Sequence, residues 1–543
     1  MIGRGLQGLR VGPTRWSILY QLIRIKVLTS LYKTLAIAIC REIEQNDVGR
    51  ISSCSYNLIT PALVKQNPMT DFERWLPWLV LIVGATSLLL YCLPKRYGSF
   101  VGRERTANRI QILVLGDLGR SPRMQYHALS VARHGCHVDL IGYLESDLHP
   151  EILANPDFID IFSLNQTPDY INKYRHKFSI YGPLKVLFQI WTLWLVLGYR
   201  TKPARWMIVQ NPPSIPTLFL AWVFCFLRNT RLVIDWHNFG YSILALKLGG
   251  KHPLVQISRV YEWIFARSAY AHFCVTNAMG CGLASNYAQS YQITAEIRPL
   301  HDRPASHFQV LSEGQRFDFL DRLAGLLASG DEQKLLEYLG LVKNMYNRKC
   351  KLLVSSTSWT PDEDFSILLD ALINYSHLAG TSHPELPEIF AVITGKGPQK
   401  DAFLKQIKDL KAAGTLEFVT IETAFLSTDD YAKLLGSADL GVSLHTSSSG
   451  VDLPMKVVDM FGAGLPVVGW GDFEAWPELV HEGVNGMSFR NSRGLLAVLR
   501  ELFGGDGKVL GMLKEGAVEE GKKKWDDEWD RVAGTLFFPS GSF

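Results

Sequence analysis

The chain lacks the features that would assign it to several common protein classes. Its 543 residues carry a formal net charge of only +4, too small to indicate a nucleic-acid partner. Its eight cysteines are scattered and none stands in a Cys-x-x-Cys pair, so neither a zinc site nor a disulfide framework is indicated. This cysteine usage fits a reducing compartment. The 47% hydrophobic content allows large cores, and the length predicts two domains with additional segments.

The N-terminal part of the chain contains no acidic residue before Glu42. Its basic, amphipathic segment 16–40 is compatible with a targeting peptide or with a helix on a membrane surface. We favour a simpler interpretation, in which residues 1–74 are a disordered extension or an artefact of the gene model. Met69, which stands just before the next recognisable feature, is the reason for that preference.

An uncharged run at residues 75–93 predicts a transmembrane anchor. At about 1.5 Å per helical residue, the run nearly spans a hydrocarbon core of about 30 Å. A cleaved signal peptide is the alternative, but the apolar run is long and no small-residue cleavage motif follows it. Four basic residues do follow, and they predict that the C-terminal side is cytosolic: Lys95, Arg96, Arg103 and Arg105.

Apolar runs alternating with glycine-containing turns predict a Rossmann-like domain over residues 108–311. A strand at 110–115 leads into the turn that contains Asp117, and a helix at 124–134 precedes a second strand. The other strands are predicted at 137–142, 206–209, 231–234 and 272–275. Segments 184–198 and 215–227 are very apolar but short for a membrane span. They are interpreted either as buried helices or as helices that rest on a membrane surface.

A second α/β series predicts another Rossmann-like domain over residues 351–523. Before it, the charged and helical residues 312–350 are interpreted as a surface insertion or linker, and residues 524–543 as a helix that crosses back to the first domain. Ser356 and Lys396 follow the strands predicted at 351–355 and 388–394, at the edge where ligands gather in α/β sheets. We therefore assign both residues to a donor-binding site.

The most informative stretch is 447–468. It opens with three hydroxyl side chains and a glycine, Ser447, Ser448, Ser449 and Gly450. Pro454 suits the first turn of a helix over 454–463, whose N-terminus is a ready site for a diphosphate. Lys456 opposes the helix dipole unless an anion is bound there. Asp459, one turn further on, can accept two hydroxyls of a ribose.

The wording SSSGVDLPMKVVDMFGAGLPV in this stretch resembles that of the chitobiosyldiphosphodolichol β-mannosyltransferases, which are GT-B glycosyltransferases. GDLGRSPRM, after the first strand, resembles the family's acceptor-facing loop. The resemblance covers roughly residues 108–535 and the anchor. It implies an α/β GT-B fold with two facing Rossmann-like domains, GDP-mannose as the donor, a dolichyl-diphosphate-linked chitobiose as the acceptor, and inversion to a β1,4-linked mannose.

The resemblance also implies a single-pass protein of the endoplasmic reticulum membrane, with its catalytic domains on the cytosolic side. Other dolichol-pathway glycosyltransferases are the expected protein partners. No tightly bound cofactor or metal is implied, and stimulation by a divalent ion is left open. The acceptor-facing loop and the helix after it supply four acceptor-binding candidates, Arg120, Ser121, Arg123 and His127.

An inverting transfer needs a base that takes a proton from the acceptor hydroxyl. The candidates are Asp117, His127, Asp235 and His237. Inverting relatives often carry the base just after the first strand, which favours Asp117. His237 follows closely because histidine titrates near neutrality. Both have structural alternatives, since a carboxylate in a glycine turn often caps backbone N–H groups and a histidine can simply bond to the backbone.

Two further absences disfavour a retaining mechanism. The Arg and Lys that many retaining GT-B enzymes carry after the first strand of the second domain are missing. The E-x7-E pattern is also missing, because Val451 stands eight positions before Asp459. The alternatives that stay open are another lipid-acceptor sugar transferase and a non-catalytic, membrane-tethered scaffold, although the intact Ser447–Gly450, Lys456 and Asp459 set argues against a scaffold.

Overall fold

The computed structural model describes residues 108–538, apart from 175, 285–292, 361–362 and 448, and in addition the single positions Trp78 and Gly84. The predicted extension over 1–74 lies outside the described residues. So does the predicted anchor over 75–93, except for those two positions. All the elements below belong to the unit Ala85–Phe543.

The first domain is built on a seven-stranded parallel sheet with the strand order β3-β2-β1-β4-β5-β6-β7. Its central strands are short apolar runs that are buried on both faces, as parallel sheets require. The strands are β1 (Arg109–Asp117), β2 (His137–Tyr143), β3 (Ile159–Ser163), β4 (Trp206–Asn211), β5 (Arg231–Trp236), β6 (Ala271–Cys274) and β7 (Glu296–Pro299). Strands β3 and β7, at the two edges, were not predicted from the sequence.

Helices cover both faces of this sheet. They are α1 (Pro122–Arg133), α2 (Pro150–Ala154), α3 (Asp169–Asn172), α4 (Phe178–Leu195, continued by a π-helical turn Val196–Arg200), α5 (Thr217–Arg228), α6 (Gly240–Leu248), α7 (Pro253–Ala266) and α8 (Asn277–Ala284). Connections between parallel strands are right-handed. The chain moves in opposite directions along the sheet before and after β3, so α1 covers one face and α4 to α7 cover the other.

A helical hairpin, α9 (Glu313–Ala328) and α10 (Glu332–Tyr346), connects the two domains. It differs from the surface insertion predicted for 312–350, because it is packed into the second domain. The Arg316 guanidinium reaches Asp439 at 3.0 Å, and Tyr338 stacks on Phe390 with ring centroids 5.9 Å apart. The second domain therefore begins at this hairpin rather than at residue 351.

The second sheet has six parallel strands in the order β10-β9-β8-β11-β12-β13. The strands are β8 (Cys350–Ser356), β9 (Glu388–Thr394), β10 (Val419–Ala424), β11 (Leu440–Ser443), β12 (Val467–Trp470) and β13 (Gly486–Phe489). The edge strand β13 was not predicted, and β10 begins three residues later than expected. The helices are α11 (Phe365–Thr381), α12 (Lys400–Ala412), α13 (Thr428–Ser437), α14 (Met455–Gly462), α15 (Trp476–Leu479), α16 (Ser492–Phe503) and α17 (Lys508–Gly521).

The C-terminal segment returns to the first domain. It comprises α18 (Trp525–Trp529), a π-helical stretch Asp530–Gly534 and α19 (Thr535–Phe537). The indole of Trp525 donates to the Ser130 hydroxyl at 3.0 Å, and the fully buried Trp529 joins the core beneath α1. This crossing segment ties the two domains together at the side of the cleft opposite α4 to α7.

Candidate active site

The C-terminal ends of both sheets face one another across a cleft, and hydrogen bonds join its two sides. Asn238, just after β5, donates to the Asp452 carboxylate at 3.2 Å. The buried Thr276 hydroxyl donates to the carbonyl of Val451 at 2.6 Å. Glu478 accepts the backbone N–H of Ala278 at 2.7 Å at the start of α8. Ligands of α/β sheets bind at this edge, so the cleft is the candidate site.

The serine loop before α14 is organised by Asp452, a residue that the sequence analysis missed. Its Oδ1 accepts the hydroxyls of Ser447 and, at 3.4 Å, of Ser449. Ser448 lies outside the described residues. Burial raises the pKa of Asp452, but bonds from His445 and Ser447 outweigh it and hold the pKa below its ordinary value. Gly450 has a left-handed backbone with φ 77°, which favours glycine at this turn.

Lys456 stands in the first turn of α14, as predicted, and its ammonium contacts a buried carboxylate. Its Nζ pairs with Glu363 Oε1 and lies 3.4 Å from the Ser358 hydroxyl. The other Glu363 oxygen accepts the Thr357 hydroxyl at 2.7 Å. Glu363 was not predicted from the sequence, because it lies far from Lys456 along the chain. Its charge balances that of Lys456.

Asp459 lies one helical turn after Lys456, on the wall of the cleft, and is partly buried. Burial and the nearby Asp302 raise its pKa to about 8. Tyr126 of the first domain lies close enough to interact electrostatically with this carboxyl group. Burial is the larger cause and Asp459 the second cause that raise the pKa of Tyr126 to about 12. Among the residues that the structure describes, none donates a hydrogen bond to Asp459, so its oxygens are available to ligand hydroxyls.

Ser356 and Lys396 lie at the ends of adjacent strands, β8 and β9, beside the serine loop. The largely buried Ser356 hydroxyl is 2.9 Å from that of Tyr431. Lys396 is exposed, and its ammonium lies 3.5 Å from the ring centroid of Phe425. A Cβ on Gly395 would come within 1.8 Å of the Thr357 carbonyl, so the two loops pack backbone to backbone. The first of these loops continues to Ser358, whose hydroxyl contacts Lys456.

Asp117 has the capping role that was its structural alternative. Its Oδ1 accepts the backbone N–H groups of Glu145 at 3.0 Å, Ser146 at 3.2 Å and Gly119 at 3.3 Å. Partial burial raises the pKa of Asp117, but these bonds outweigh it and leave the pKa below its ordinary value. A carboxylate with a lowered pKa is a weaker base, so the geometry favours turn formation over proton abstraction.

The two ends of the acceptor-facing loop differ in exposure. The side chain of Arg120 is 79% exposed and lies at 3.5 Å from Asp117 Oδ2. Ser121 is buried, and its hydroxyl donates to the Asp117 carbonyl at 3.0 Å. The Arg120 side chain is therefore accessible to solvent, whereas Ser121 closes the turn.

Arg123, His127 and Asp235 were predicted to contact substrates, but the structure places all three inside the first domain. Arg123 is 3% exposed and holds Asp235 with two parallel hydrogen bonds of 2.8 and 2.9 Å. Its Nη1 also bonds to Asp302 at 2.7 Å. His127 is fully buried and lies 3.2 Å from Asp235 Oδ2. Side chains that are enclosed and bonded in this way fit a role in holding one another in place better than the predicted contact with substrates.

These buried groups form a hydrogen-bonded chain that ends at His237. The indole of Trp529 is only a donor, so it bonds to an unprotonated His127 Nδ1 at 2.9 Å and His127 donates its other N–H to Asp235. Burial raises the pKa of Asp235, but Arg123 and the histidines hold it well below its ordinary value. His237 Nε2 lies 3.1 Å from the same carboxylate, and its ring is partly exposed to the cleft.

The matched family and the solved structures agree with this architecture. The family described as Glycosyl transferases group 1 matches residues 348–504. Sucrose-phosphate synthase from Thermosynechococcus elongatus superposes with a TM-score of 0.54 at 12% identity, covering 79% of this chain and 98% of that one. HepE from Anabaena, solved with UDP and glucose, gives a TM-score of 0.53 at 14% identity, covering 79% and 99%. At such identities these likenesses concern the fold alone.

Two facing Rossmann-like domains with a cleft between them define a GT-B glycosyltransferase. Much closer relatives are the chitobiosyldiphosphodolichol beta-mannosyltransferases of Arthroderma benhamiae, 48% identical over 82% of this chain and 94% of the relative, and of Homo sapiens, 40% identical over 79% and 92%. The chain belongs to the chitobiosyldiphosphodolichol beta-mannosyltransferase family.

Proposed function

We propose that the protein transfers a mannose from GDP-mannose to a dolichyl-diphosphate-linked chitobiose with inversion, giving a β1,4-linked product. The observation that carries this proposal is the family itself, whose members' shared name states a beta-mannosyl transfer and a chitobiosyldiphosphodolichol acceptor. The cleft supports it with an anion site on one side and a partly exposed histidine on the other. A nucleotide sugar and an acceptor hydroxyl can therefore meet between the two domains.

The donor diphosphate is proposed to bind at the start of α14. Backbone N–H groups of the serine loop and the helix N-terminus face developing negative charge, and Lys456 supplies a positive charge. The anion then takes the place of Glu363 as the principal partner of Lys456. Asp459 binds the ribose hydroxyls, and Ser356 and Lys396 border the nucleoside. This arrangement stabilises the leaving diphosphate without a resident metal ion, and stimulation by a divalent ion is left open.

His237 is the proposed general base. The acceptor oxygen attacks the anomeric carbon, GDP leaves with the bonding electrons, and the acceptor proton passes to His237 Nδ1. Asp235 accepts the Nε2–H bond, holds the ring in place and stabilises the imidazolium that forms. The bonds that occupy Asp117 make it the second choice, in contrast to the preference from sequence. Arg120 remains proposed for the acceptor diphosphate because it is exposed at the cleft loop.

The proposed setting is the endoplasmic reticulum membrane, with residues 75–93 as a single-pass anchor and the two domains in the cytosol. Other dolichol-pathway glycosyltransferases are the proposed partners, and nucleic acid is not. The uncharged run and the basic residues after it support this topology. Protease added to sealed microsomes is expected to digest the catalytic domains, and protection of these domains would contradict the orientation.

The central experiment incubates the purified full chain with labelled GDP-mannose and a chitobiosyl-diphosphate lipid. The expected product is sensitive to β-mannosidase and resistant to α-mannosidase. UDP-sugars and a lipid that lacks chitobiose serve as controls for the donor and the acceptor. An α-linked product would remove the inverting mechanism. GDP binding without any transfer would favour the scaffold alternative.

A further inference from the structure

The outer surface of the first domain is unusually apolar along α4, α5, α6 and α7. Among the described residues, seventeen of the exposed large apolar side chains lie between Ile180 and Tyr270, whereas ten lie between Val310 and Met512. Leu187 is 61% exposed, Trp191 60% and Phe226 66%. Contiguous exposed apolar surface on a soluble domain marks an interaction site, whereas isolated residues do not.

These side chains recur at helical spacing, so each helix presents them on one side. Together they form what we name the apolar face: Ile180, Leu187 and Trp191 on α4, Phe219, Trp222 and Phe226 on α5, Ile243 and Leu246 on α6, and Ile257, Val260 and Ile264 on α7. Residues three, four and seven apart lie on the same side of a helix. On α5 and α7 the opposite sides are buried, as Leu218, Phe224, Val255 and Ala266 show.

The four helices adjoin one another, which makes the apolar face continuous. Phe219 and Trp222 of α5 both contact Phe265 of α7, with ring centroids 5.8 and 6.1 Å apart. Trp194 of α4 contacts Phe224 of α5 at 5.0 Å. The Tyr261 hydroxyl of α7 accepts the backbone N–H of Phe219 at 3.1 Å. One layer of helices therefore carries the whole surface.

The helix Ile180–Arg200 is long and apolar enough to cross a membrane by length and composition, and it is the only such helix within the described part of the chain. Its side chains Leu193 and Leu197 are fully buried in the core of the first domain. To cross a bilayer it would have to leave this core. Its packing instead fits a helix that lies along the domain surface.

The exposed charged side chains around the apolar face are of one sign. Between residues 170 and 270 the sequence contains two acidic residues, Asp235 and Glu262, and both are fully buried. The same segment exposes many basic side chains: Lys173, Lys177, Arg200, Lys202, Lys247, Lys251 and Arg267. An apolar surface bordered by basic residues without exposed acids matches the headgroup region of an anionic membrane.

We infer that the apolar face docks on a membrane surface that contains anionic lipids. Residues 1–41 of this chain are a poor alternative occupant, because they are basic without any acidic residue and would repel the basic border, and the uncharged run 75–93 is the proposed anchor. A second copy of the face would repel it for the same reason. The docking stands on surface chemistry, but its role rests on the proposed lipid-linked acceptor.

Docking on this face would orient the cleft toward the bilayer surface. Helix α6 begins at Gly240, three residues after the proposed base His237. Helix α6, which carries part of the apolar face, thus starts next to the proposed base. A diphosphate headgroup at the membrane surface could enter the cleft while its lipid chain stays in the bilayer, which raises the local concentration of acceptor at the site.

Hydroxyl-radical footprinting of the unmodified full chain in lipid nanodiscs tests the docking without an activity assay. In nanodiscs of phosphatidylcholine with phosphatidylserine, oxidation of Trp191, Trp222 and Phe226 is expected to fall severalfold. Tyr346 and Phe425, equally exposed on the second domain, serve as internal controls and should stay accessible. Unchanged oxidation of the apolar face would overturn the inference. Equal protection in the absence of any bilayer would show that protein covers it.

Two double variants test the role of the apolar face in acceptor delivery. Leu187→Glu with Phe226→Glu is expected to lower transfer to a long-chain acceptor in bilayers at least tenfold and to leave a water-soluble short-chain acceptor unaffected. Leu336→Glu with Tyr346→Glu, at equally exposed sites on α10, should leave both rates unchanged. If the Leu187→Glu, Phe226→Glu double variant used the long-chain acceptor as fast as the unmodified chain does, the role in acceptor delivery would be overturned. If the unmodified chain uses neither acceptor, the proposed function fails while footprinting still decides the docking.

Discussion

Four aspartates around the cleft show how individual contacts decide the role of a residue. Asp117 caps three backbone N–H groups, Asp235 is bound by Arg123, and Asp452 holds two serine hydroxyls. Asp459 has no such bond from a described residue, and its pKa is raised to about 8. The partners of the first three carboxylates hold their pKa values below the ordinary value, whereas the fourth is the one proposed to bind a ligand.

The base assignment gives a test at this scale. His237→Ala is expected to lower turnover by about 10²- to 10⁴-fold, the usual share of a general base, with GDP affinity retained. Asp117→Asn should turn over within a few-fold of the parent, because an amide oxygen can still accept the N–H groups of the turn. Steady-state rates and calorimetric GDP binding on both proteins decide this. If His237→Ala turned over normally and Asp117→Asn were inactive, Asp117 would be assigned as the base.

The raised pKa of Asp459 predicts that nucleotide binding depends on pH. Ribose hydroxyls bond best to the ionised carboxylate, yet with a pKa of about 8 the free protein keeps the group protonated near neutrality. Binding must then release a proton, so GDP affinity should rise by up to about tenfold per pH unit toward pH 8 and level off above it. Calorimetry across this range provides the measurement. Asp459→Asn should bind more weakly with a flat profile, and a flat profile in the parent would contradict the assignment.

The ion pair between Lys456 and Glu363 provides a third test at individual residues. Removing the ammonium in Lys456→Ala should remove one charge-assisted contact to the diphosphate, worth about 1.5–3 kcal/mol, or roughly 10- to 150-fold in GDP affinity. Glu363→Gln should act in the opposite direction, because the anion no longer competes with a carboxylate for Lys456. Thermal unfolding of both variants controls for damage to the loop. Equal GDP affinity in parent and Lys456→Ala would exclude the diphosphate contact.

Among the secondary-structure elements, the C-terminal crossing segment has the most direct connection to the site. Its Trp529 bonds to His127, which bonds to Asp235, which holds His237. The segment therefore does more than tie the domains together. It fixes the tautomer of a buried histidine next to the proposed base.

Trp529→Phe keeps the ring packing and removes this one donor, a loss of about 0.5–1.5 kcal/mol of hydrogen bonding. We expect a lower kcat with an unchanged KM for GDP-mannose, together with a shifted pH profile of kcat. Trp525→Phe is the matched control, because its indole bonds to Ser130 instead of His127. Identical kinetics of the two variants would show that the chain through His127 has no effect on catalysis.

Across the whole molecule, ionic contacts at the domain junction predict how stability depends on pH. His301 contacts Glu478 and Glu528, and Arg303 contacts Glu528 as well. The bond to Glu528 raises the pKa of His301 above its ordinary value. Partial burial opposes ionisation of Glu528, but His301, Arg303 and Arg531 lower its pKa to about 2.

The raised pKa of His301 and the lowered pKa of Glu528 affect folding stability at opposite ends of the pH scale. A raised histidine pKa gives a stabilisation that is complete below about pH 6.5 and is lost as pH rises through the folded-state value. A lowered glutamate pKa gives one that is complete above about pH 4.5 and is lost as pH falls toward 2. Glu528→Gln should remove about 1 kcal/mol between these limits and flatten the acid side. Thermal unfolding against pH measures this, with Glu519→Gln as the exposed control.

The strands that sequence analysis found and missed differ in position in the sheets. Central strands such as β1, β4 and β9 are near-continuous apolar runs, because both of their faces are buried. Three of the four edge strands, β3, β7 and β13, were missed, and they contain polar residues or glycine, as in Glu296–Pro299 and Gly486–Phe489. The fourth edge strand, β10, was predicted, but with a start three residues too early. One exposed side removes the requirement for apolar residues, so the sequence carries a weaker signal there.

The sequence alone determined the sheet cores, the loop and helix start at Lys456, and the family, because these depend on short-range patterns of apolar residues, glycine and helix-start residues. Lys456 and Asp459 could be chosen because they lie one turn apart on a single helix. The tertiary structure decided which polar residues are enclosed. Arg123 meets Asp235 across more than a hundred residues, and Glu363 meets Lys456 across a similar separation. No local pattern encodes such contacts, since burial depends on what the rest of the chain packs against them.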